Sequence, residues 1–210
     1  LDGAVLCLWG LFKKVVVAEN IAVYLQPIFD SEETISGSNW LMAAYLYPFQ
    51  LYGDFSGYSD MAKGMAKMLG FELSNNFNKP FLSKSITDFW RKWHISLTTW
   101  FTDYVFSPLA LAGRYGGRIT LYFSILLTFA LSGLWHEATW NFIVWGTLNG
   151  IILCLEHANP IRIKLKSKIV RSIQIIITFH LVCFTFIFLT TDNFQQSLEV
   201  ISSIFTSDLN

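Results

Sequence analysis

The sequence predicts an all-α protein built as a polytopic membrane helical bundle, and three observations carry that prediction. Hydrophobic residues make up 53% of the chain and charged residues only 14%, against about 25% charge in soluble domains. Apolar stretches at 119–135, 140–156 and 172–191 each reach the length of about 17–25 residues that a helix needs to cross a hydrocarbon core. The 15 Lys and Arg residues gather in four clusters, the pattern expected when basic loops are kept on one side of a membrane.

Two weaker spans precede these three, at 15–26 and 40–58. They are short or interrupted, as tilted or broken helices are when other helices surround them. The basic clusters are Lys13–Lys14, Lys63 to Lys92, Arg114 with Arg118, and Arg162 to Arg171. The positive-inside rule places all four in the cytoplasm. The acidic stretches 26–58 and 192–210 carry no basic residue and are expected outside. The spans then alternate without conflict, which gives one membrane domain at 1–192 with about five spans. The tail 193–210 reads as a surface helix or as the lead-in to further sequence. Leu1 lies inside an apolar run with no Met before it, so the chain is expected to be the C-terminal part of a larger fold.

One apolar stretch is not a span. Segment 88–108 has basic clusters on both sides, so both its ends belong inside. Trp93, Leu97, Trp100, Phe101 and Tyr104 follow Trp90 at offsets of 3, 7, 10, 11 and 14, which is one face of a helix. His94 lies on that face, and Thr98, Thr99 and Thr102 lie on or near the opposite one. Thr87 or Asp88 caps its start and Pro108 ends it. An amphipathic helix is predicted, lying at the cytoplasmic face or re-entering from it. Segment 59–85, punctuated by Gly64, Gly70 and Pro80, reads as short cytoplasmic helices and loops. Its lysines suit either an acidic partner or anionic lipid headgroups.

His136 carries the most information. It sits at the break between two long apolar segments, in SGLWHEATWNFIVWG. An ionisable residue at membrane depth is a functional-site hypothesis by default; the bland alternative is a helix-end histidine facing interfacial water. Trp135 and Trp140 bracket it. His94 approaches from the cytoplasmic side, with snorkelling to the interface as its own bland alternative. Asp54 either orients a histidine, pairs with a basic residue, or sits at a helix end in water.

Other chemistries find little support. Net charge is zero and no nucleic-acid motif appears. Cys7, Cys154 and Cys183 sit in apolar segments without disulfide or CxxC spacing. His136-Glu137 begins the zinc-protease pattern H-E-x-x-H, but position 140 is Trp. Cys154 with His157 and His180 with Cys183 are two i,i+3 pairs, but their depths differ by about 12 Å at 1.5 Å per residue, which disfavours a shared metal. No metal site is predicted. Nor is there a nucleophile elbow, a P-loop or a dinucleotide fingerprint.

Three long motifs do resemble a known family. FQLYGDFSGYSDMAKGMAKMLGFELSNNFNKPF, DFWRKWHISLTTWFTDYVFSPL and LSGLWHEATWNFIVWGTLNG are similar to the membrane-bound O-acyltransferase family, and most to its alginate O-acetyltransferase-like branch. The resemblance covers most of the chain, about residues 10–156. It implies a multi-helix membrane fold around a tunnel, and transfer of an acyl group from a cytoplasmic thioester to a hydroxyl. It puts the family's near-invariant histidine on His136 and that of its F-W-R-x-W-H-I-S-L motif on His94. It also implies an exported polysaccharide as acceptor, with partner proteins on the periplasmic or extracellular side. The chain departs from the family at Glu137, often Gly there, and near Asn149, where the family often has His.

The expected chemistry follows. His136 is the general base, since an imidazole with a pKa near 6.5 removes protons around neutrality. His94 donates to the thioester carbonyl or positions the donor's arm. Trp93, Trp135 and Trp140 exclude water from the thioester. Arg91 and Lys92 meet the donor's phosphates or an acidic carrier, and Asn149 and Asp54 join the candidate binding residues. No tightly bound cofactor is expected; an acyl thioester, such as acetyl-coenzyme A or an acyl carrier, is the donor substrate. The expected setting is the bacterial cytoplasmic membrane, crossed several times. A transporter, a flippase or a scaffold subunit of a polysaccharide-secretion complex is the competing reading; the paired broken helices that mark many transporters are not evident.

Overall fold

A computed structural model describes residues 1–31, 35–158 and 167–206, and every regular element among them is helical. The carboxylates Glu32, Glu33 and Asp208, and the cations Arg162, Lys164 and Lys166 of the last basic cluster, lie outside the described residues. The chain divides into two compact units, Leu1–Asn76 with Gln195–Asn210, and Phe77–Phe194.

In the first unit, helix α1 (Asp2–Leu11) continues through a π-helical stretch, Phe12–Ala18, into α2 (Glu19–Phe29). The predicted span 15–26 is therefore part of a longer helical run. Helix α3 (Gly37–Met68) is capped by Ser36, whose side chain accepts the Asn39 N–H. It takes in the predicted span 40–58 and the first ten residues of 59–85, a segment whose composition predicts only short helices and loops. Gly64, read as punctuation, instead lets two helices touch. A Cβ on Gly64 would lie 2.5 Å from the Gly3 carbonyl oxygen, and a Cβ on Gly10 2.5 Å from that of Gly57. The pairing of Gly3 with Gly64 and of Gly10 with Gly57 makes α1 and α3 antiparallel. Small residues at such contacts are how membrane helices gain packing when lipid offers no hydrophobic gradient.

Charge pairs reinforce that contact. Lys13 meets Asp60 at 2.7 Å and donates to Ser56 at 3.0 Å, and Lys14 pairs with Asp54. Of the roles open to Asp54 in the sequence, pairing with a basic residue is the one the structure shows. Helix α10 (Phe194–Thr206) closes the described chain and is grouped, from Gln195 onward, with this unit.

The second unit is built on a helical hairpin. Helix α7 (Gly117–His136) matches the predicted span 119–135, and α8 (Trp140–Ala158) matches 140–156. Glu137 is extended, with ψ 139°, and that turn ends α7 at His136. The hairpin is close-packed through glycines. A Cβ on Gly133 would overlap the Phe142 carbonyl, and one on Gly146 would overlap that of Phe129. The hydroxyls of Ser124 and Thr128 return to carbonyls one turn back, at 2.8 and 2.6 Å, so neither leaves a polar atom unpaired in apolar surroundings. Helix α9 (Lys168–Phe186) with its 3₁₀ extension Ile187–Leu189 replaces the span 172–191.

Among the described residues, α7 and the run Lys168–Leu189 are long and apolar enough to cross a membrane. Helix α8 has the length but falls below that apolar measure, and its polar residues are put to use. Asn141 Nδ2 donates to the Thr191 carbonyl at 2.7 Å, and Asn149 Nδ2 to the Trp145 carbonyl at 2.9 Å.

Because the α7–α8 contact is backbone against backbone, it has no flexible side chain that can give way. Gly133→Ala and Gly146→Ala should each cost about 1–3 kcal/mol through overpacking, even though Ala is the better helix former. Thermal unfolding of the purified protein in detergent checks this, and an unchanged or raised midpoint would contradict the contact.

Candidate active site

The predicted single helix 88–108 is four elements. Helix α4 (Ile86–Trp90) is followed by a break at 91–94, then α5 (Ile95–Phe101), a π-helical stretch Thr102–Phe106, and α6 (Ser107–Ala112). Ser85, not Thr87 or Asp88, is the N-cap of α4; its side chain accepts the Asp88 N–H at 3.1 Å. Asp88 in return accepts the Lys84 N–H, also at 3.1 Å, a reciprocal arrangement close to a capping box. Pro108 does not end a helix; it lies in the first turn of α6, where its missing N–H is not needed.

The break has a backbone cause. His94 is in the left-handed region, with φ 43° and ψ 55°, a conformation uncommon outside glycine though enriched for histidine. That residue resets the helical phase, so the face assigned from offsets does not persist. Trp100 and Tyr104, predicted on one apolar face with His94, are exposed and stand apart from the cavity that His94 lines. Thr98 and Thr102, predicted on the far side, line one cavity with His94, because α5 begins afresh after the turn.

That cavity has a volume of about 60 Å³, several times the ~10–15 Å³ that admits one water. Its walls are Trp90, Trp93, Leu97, Phe101 and Phe129, and its polar groups are His94, His136, Ser132 and three threonine hydroxyls. Both singled-out histidines therefore open into one space, from α4–α5 on one side and the end of α7 on the other. The His136 ring is flanked by Trp135 at 4.9 Å, Trp145 at 5.4 Å and Phe142 at 6.3 Å. His136 is nevertheless an exposed residue.

The other candidates divide. Trp93 is buried, with Phe77, Phe81, Phe89 and Phe186 around it, and it lines the cavity. Trp135 and Trp140 are 58% and 75% exposed and neither lines it; the apolar wall comes from Trp90 and Phe129 instead. Arg91 is exposed, whereas Lys92 is held by Asp88 at 2.7 Å. Asn149 is buried one turn beyond Trp145, and its Oδ1 has no hydrogen-bond partner among the described residues. Asp54 belongs to the first unit, with its carboxylate on Lys14.

Sequence reasoning missed three residues. Glu156, at the end of α8, accepts the backbone N–H groups of Ile86 at 2.6 Å and Thr87 at 3.1 Å, and the Thr87 hydroxyl at 2.8 Å. A carboxylate there satisfies orphan donors and complements the positive end of α4. Nothing in the spacing links positions 86 and 156. Trp90 and Trp145, which touch each other at 5.8 Å, passed as ordinary apolar positions among eight tryptophans. Only their placement beside the histidines distinguishes them.

Fold and site together define a helical membrane protein with two histidines facing one small, mostly apolar cavity. Residues 4–192 match MBOAT, the membrane-bound O-acyltransferase family, and the chain belongs to that family. It is 39% identical over its whole length to the "Probable alginate O-acetylase AlgI" of Azotobacter vinelandii, covering 42% of that protein. It is 36% identical to the "Peptidoglycan O-acetyltransferase" of Helicobacter pylori, over 93% of this chain and 37% of that one. Against the "Teichoic acid D-alanyltransferase" of Bacillus subtilis it is 35% identical, over 70% of this chain and 40% of the relative. The chain thus spans about two-fifths of the curated relatives it matches.

Two outcomes follow from this geometry. Glu156→Ala leaves two backbone donors and a hydroxyl unpaired, a loss of about 1–3 kcal/mol; Glu156→Gln keeps one acceptor and should fall between Ala and the native residue in thermal unfolding. Equal midpoints for all three would remove Glu156 from the account of α4. The second outcome concerns His94, which lies in neither candidate span. Burial, and behind it the His136 charge, push its pKa down from 6.5 to about 4. The unfolded chain therefore takes up a proton near pH 6.5 that the folded chain refuses until about pH 4. Its contribution to stability is full above pH 6.5 and is lost as pH falls toward 4. Unfolding midpoints measured from pH 7.5 to 4.5 should drop for the native protein and drop less for His94→Gln; parallel curves would contradict a neutral His94.

Proposed function

We propose that the protein is an O-acyltransferase of the bacterial cytoplasmic membrane, a multi-pass protein. It moves a short acyl group, acetyl in the first instance, from a cytoplasmic thioester to hydroxyls of an exported cell-envelope polysaccharide such as alginate. The observation that carries this reading is the convergence of His94 and His136 on one small, largely apolar cavity. The names of the relatives agree in class: each is an acyl- or alanyl-transferring protein named for a cell-envelope polymer.

In the proposed reaction, the imidazole of His136 takes the proton from the acceptor hydroxyl as its oxygen bonds to the thioester carbon. The carbonyl π pair moves to oxygen. When it returns, the carbon–sulfur bond breaks, and the leaving thiolate recovers the proton from His136. His94, uncharged over the working pH range, holds the thioester arm through its one N–H and one lone pair. Trp93, Trp90 and Phe129 keep water from competing with the hydroxyl. Arg91, exposed beside the break, meets the phosphates of a coenzyme or an acidic carrier in this reading. Partner proteins on the outer side would present or receive the polysaccharide.

Ester-linked acetate, released by mild base from the envelope polysaccharide of cells relying on this protein, tests the reading. His136→Ala should lower it by at least about 100-fold, the scale of a lost general base, with unchanged protein in the membrane. Native levels of ester in that variant would rule out the assignment and favour a transporter or scaffold.

A further inference from the structure

The face of α7 that lines the cavity carries Thr128, Ser132 and His136, each about one turn after the last. A hydroxyl inside a helix commonly turns back to the carbonyl one turn earlier. Ser124 and Thr128 do so, at 2.8 and 2.6 Å. Ser132, the next in that row, does not. Its hydroxyl has no hydrogen-bond partner among the described residues, and its oxygen is not one of the buried atoms closed off from solvent. A serine has a single heavy atom beyond Cβ. On this face, an Oγ that is turned off the helix backbone and accessible opens into the cavity that Ser132 lines. The other cavity hydroxyls have committed their protons. Thr98 donates to the Trp93 carbonyl at 3.2 Å, Thr102 to the Thr98 carbonyl at 2.7 Å, and Thr128 to the Ser124 carbonyl. They offer only lone pairs to a molecule in the cavity. Ser132 is the hydroxyl there that still has a proton to give.

We propose that the Ser132 hydroxyl donates a hydrogen bond to the carbonyl oxygen of the acyl group, and that the bond strengthens as that oxygen becomes negative. The inference rests on the acyl-transfer reading of the cavity. In that reading His136 accepts the proton of the incoming hydroxyl, so the thioester carbonyl, which can only accept, needs its donor from another side chain. Ser132 stands about 6 Å before His136 along α7, at 1.5 Å per residue, toward the helix end that Arg118 marks as cytoplasmic. That is the side from which the thioester arrives. When the acceptor oxygen bonds to the carbonyl carbon, the π pair moves onto the carbonyl oxygen, which accepts the Ser132 O–H without taking its proton. When the pair returns, the carbon–sulfur bond breaks, the thiolate takes the proton held by His136, and the hydrogen bond relaxes. A donor in place before the charge develops, among mostly apolar walls, is worth more than the same donor in water.

The test is Ser132→Ala in the complete membrane protein, with radiolabelled acetyl-coenzyme A as the probe and label in polysaccharide as the readout. Alanine keeps the Cβ and is the better helix former, so the variant removes the hydroxyl and little else. A fall in kcat on the order of 100-fold, with KM for the thioester nearly constant, is expected. A KM effect alone, or no effect, overturns the proposal. A second readout needs no turnover. Acetyl-coenzyme A with an isotope-labelled carbonyl is bound to His136→Ala protein with and without Ser132→Ala, and the carbonyl stretch is followed by infrared difference spectroscopy. The band is expected at lower frequency where Ser132 is present, because a donated hydrogen bond weakens the carbonyl; equal frequencies overturn the proposal. His136→Ala alone is assayed for transfer beside them. If it is inactive while Ser132→Ala is normal, the carbonyl donor alone is wrong; if it too transfers label normally, the acyl-transfer reading is wrong.

Discussion

The first turn of α4 begins with N–H groups that have no partner inside the helix, in a unit where apolar helices leave little water to satisfy them. Glu156 meets that need from the end of α8, accepting two backbone N–H groups and a hydroxyl at 2.6–3.1 Å. Much of the site depends on this contact. Without it a helix of five residues, too short to be stable by itself, has little to fix its direction. With it, Phe89, Trp90 and Trp93 are delivered to the aromatic core, and His94 follows at a defined place.

Helix α8 thus governs both histidines by different means. At one end its glycines bring it against α7 so closely that Phe142 and Trp145 flank the His136 ring. At the other end its carboxylate holds α4. Between them lies Asn149, which with Asn141, Glu156 and His157 makes α8 more polar than the neighbours that meet the apolar measure. The same side chains that weaken α8 as a membrane-spanning sequence make it useful as the frame of a site. Intramembrane polar residues are costly to keep and tend to be functional.

The left-handed His94 is a further departure from what a helix prefers. Such a conformation is costly for a residue with a Cβ and persists where packing over-determines it. Here the surrounding determinants are visible: Trp93 is wedged among four phenylalanines, and the His94 carbonyl already accepts the Thr98 N–H at 3.0 Å to start α5. The consequence is a change of phase that turns Thr98 and Thr102 to the cavity and Trp100 and Tyr104 away from it.

The all-helical class, the positions of α7, α8 and α9, the family, and the two histidines as the residues to watch are legible in the residues alone. Those features are local, since apolar length and long motifs are written in consecutive residues. Tertiary structure decided what local pattern cannot encode. It made Gly64 a helix contact instead of a break, because a glycine's role depends on what lies opposite it. It paired Asp54 with Lys14, 40 residues apart, and Glu156 with α4, 69 and 70 residues apart. It moved the apolar wall of the cavity from Trp135 and Trp140 to Trp90 and Phe129. Neighbours across the second unit, not along the chain, select which of eight tryptophans faces the histidines, because helix packing sets who meets whom only after every helix has its length, its phase and its partner.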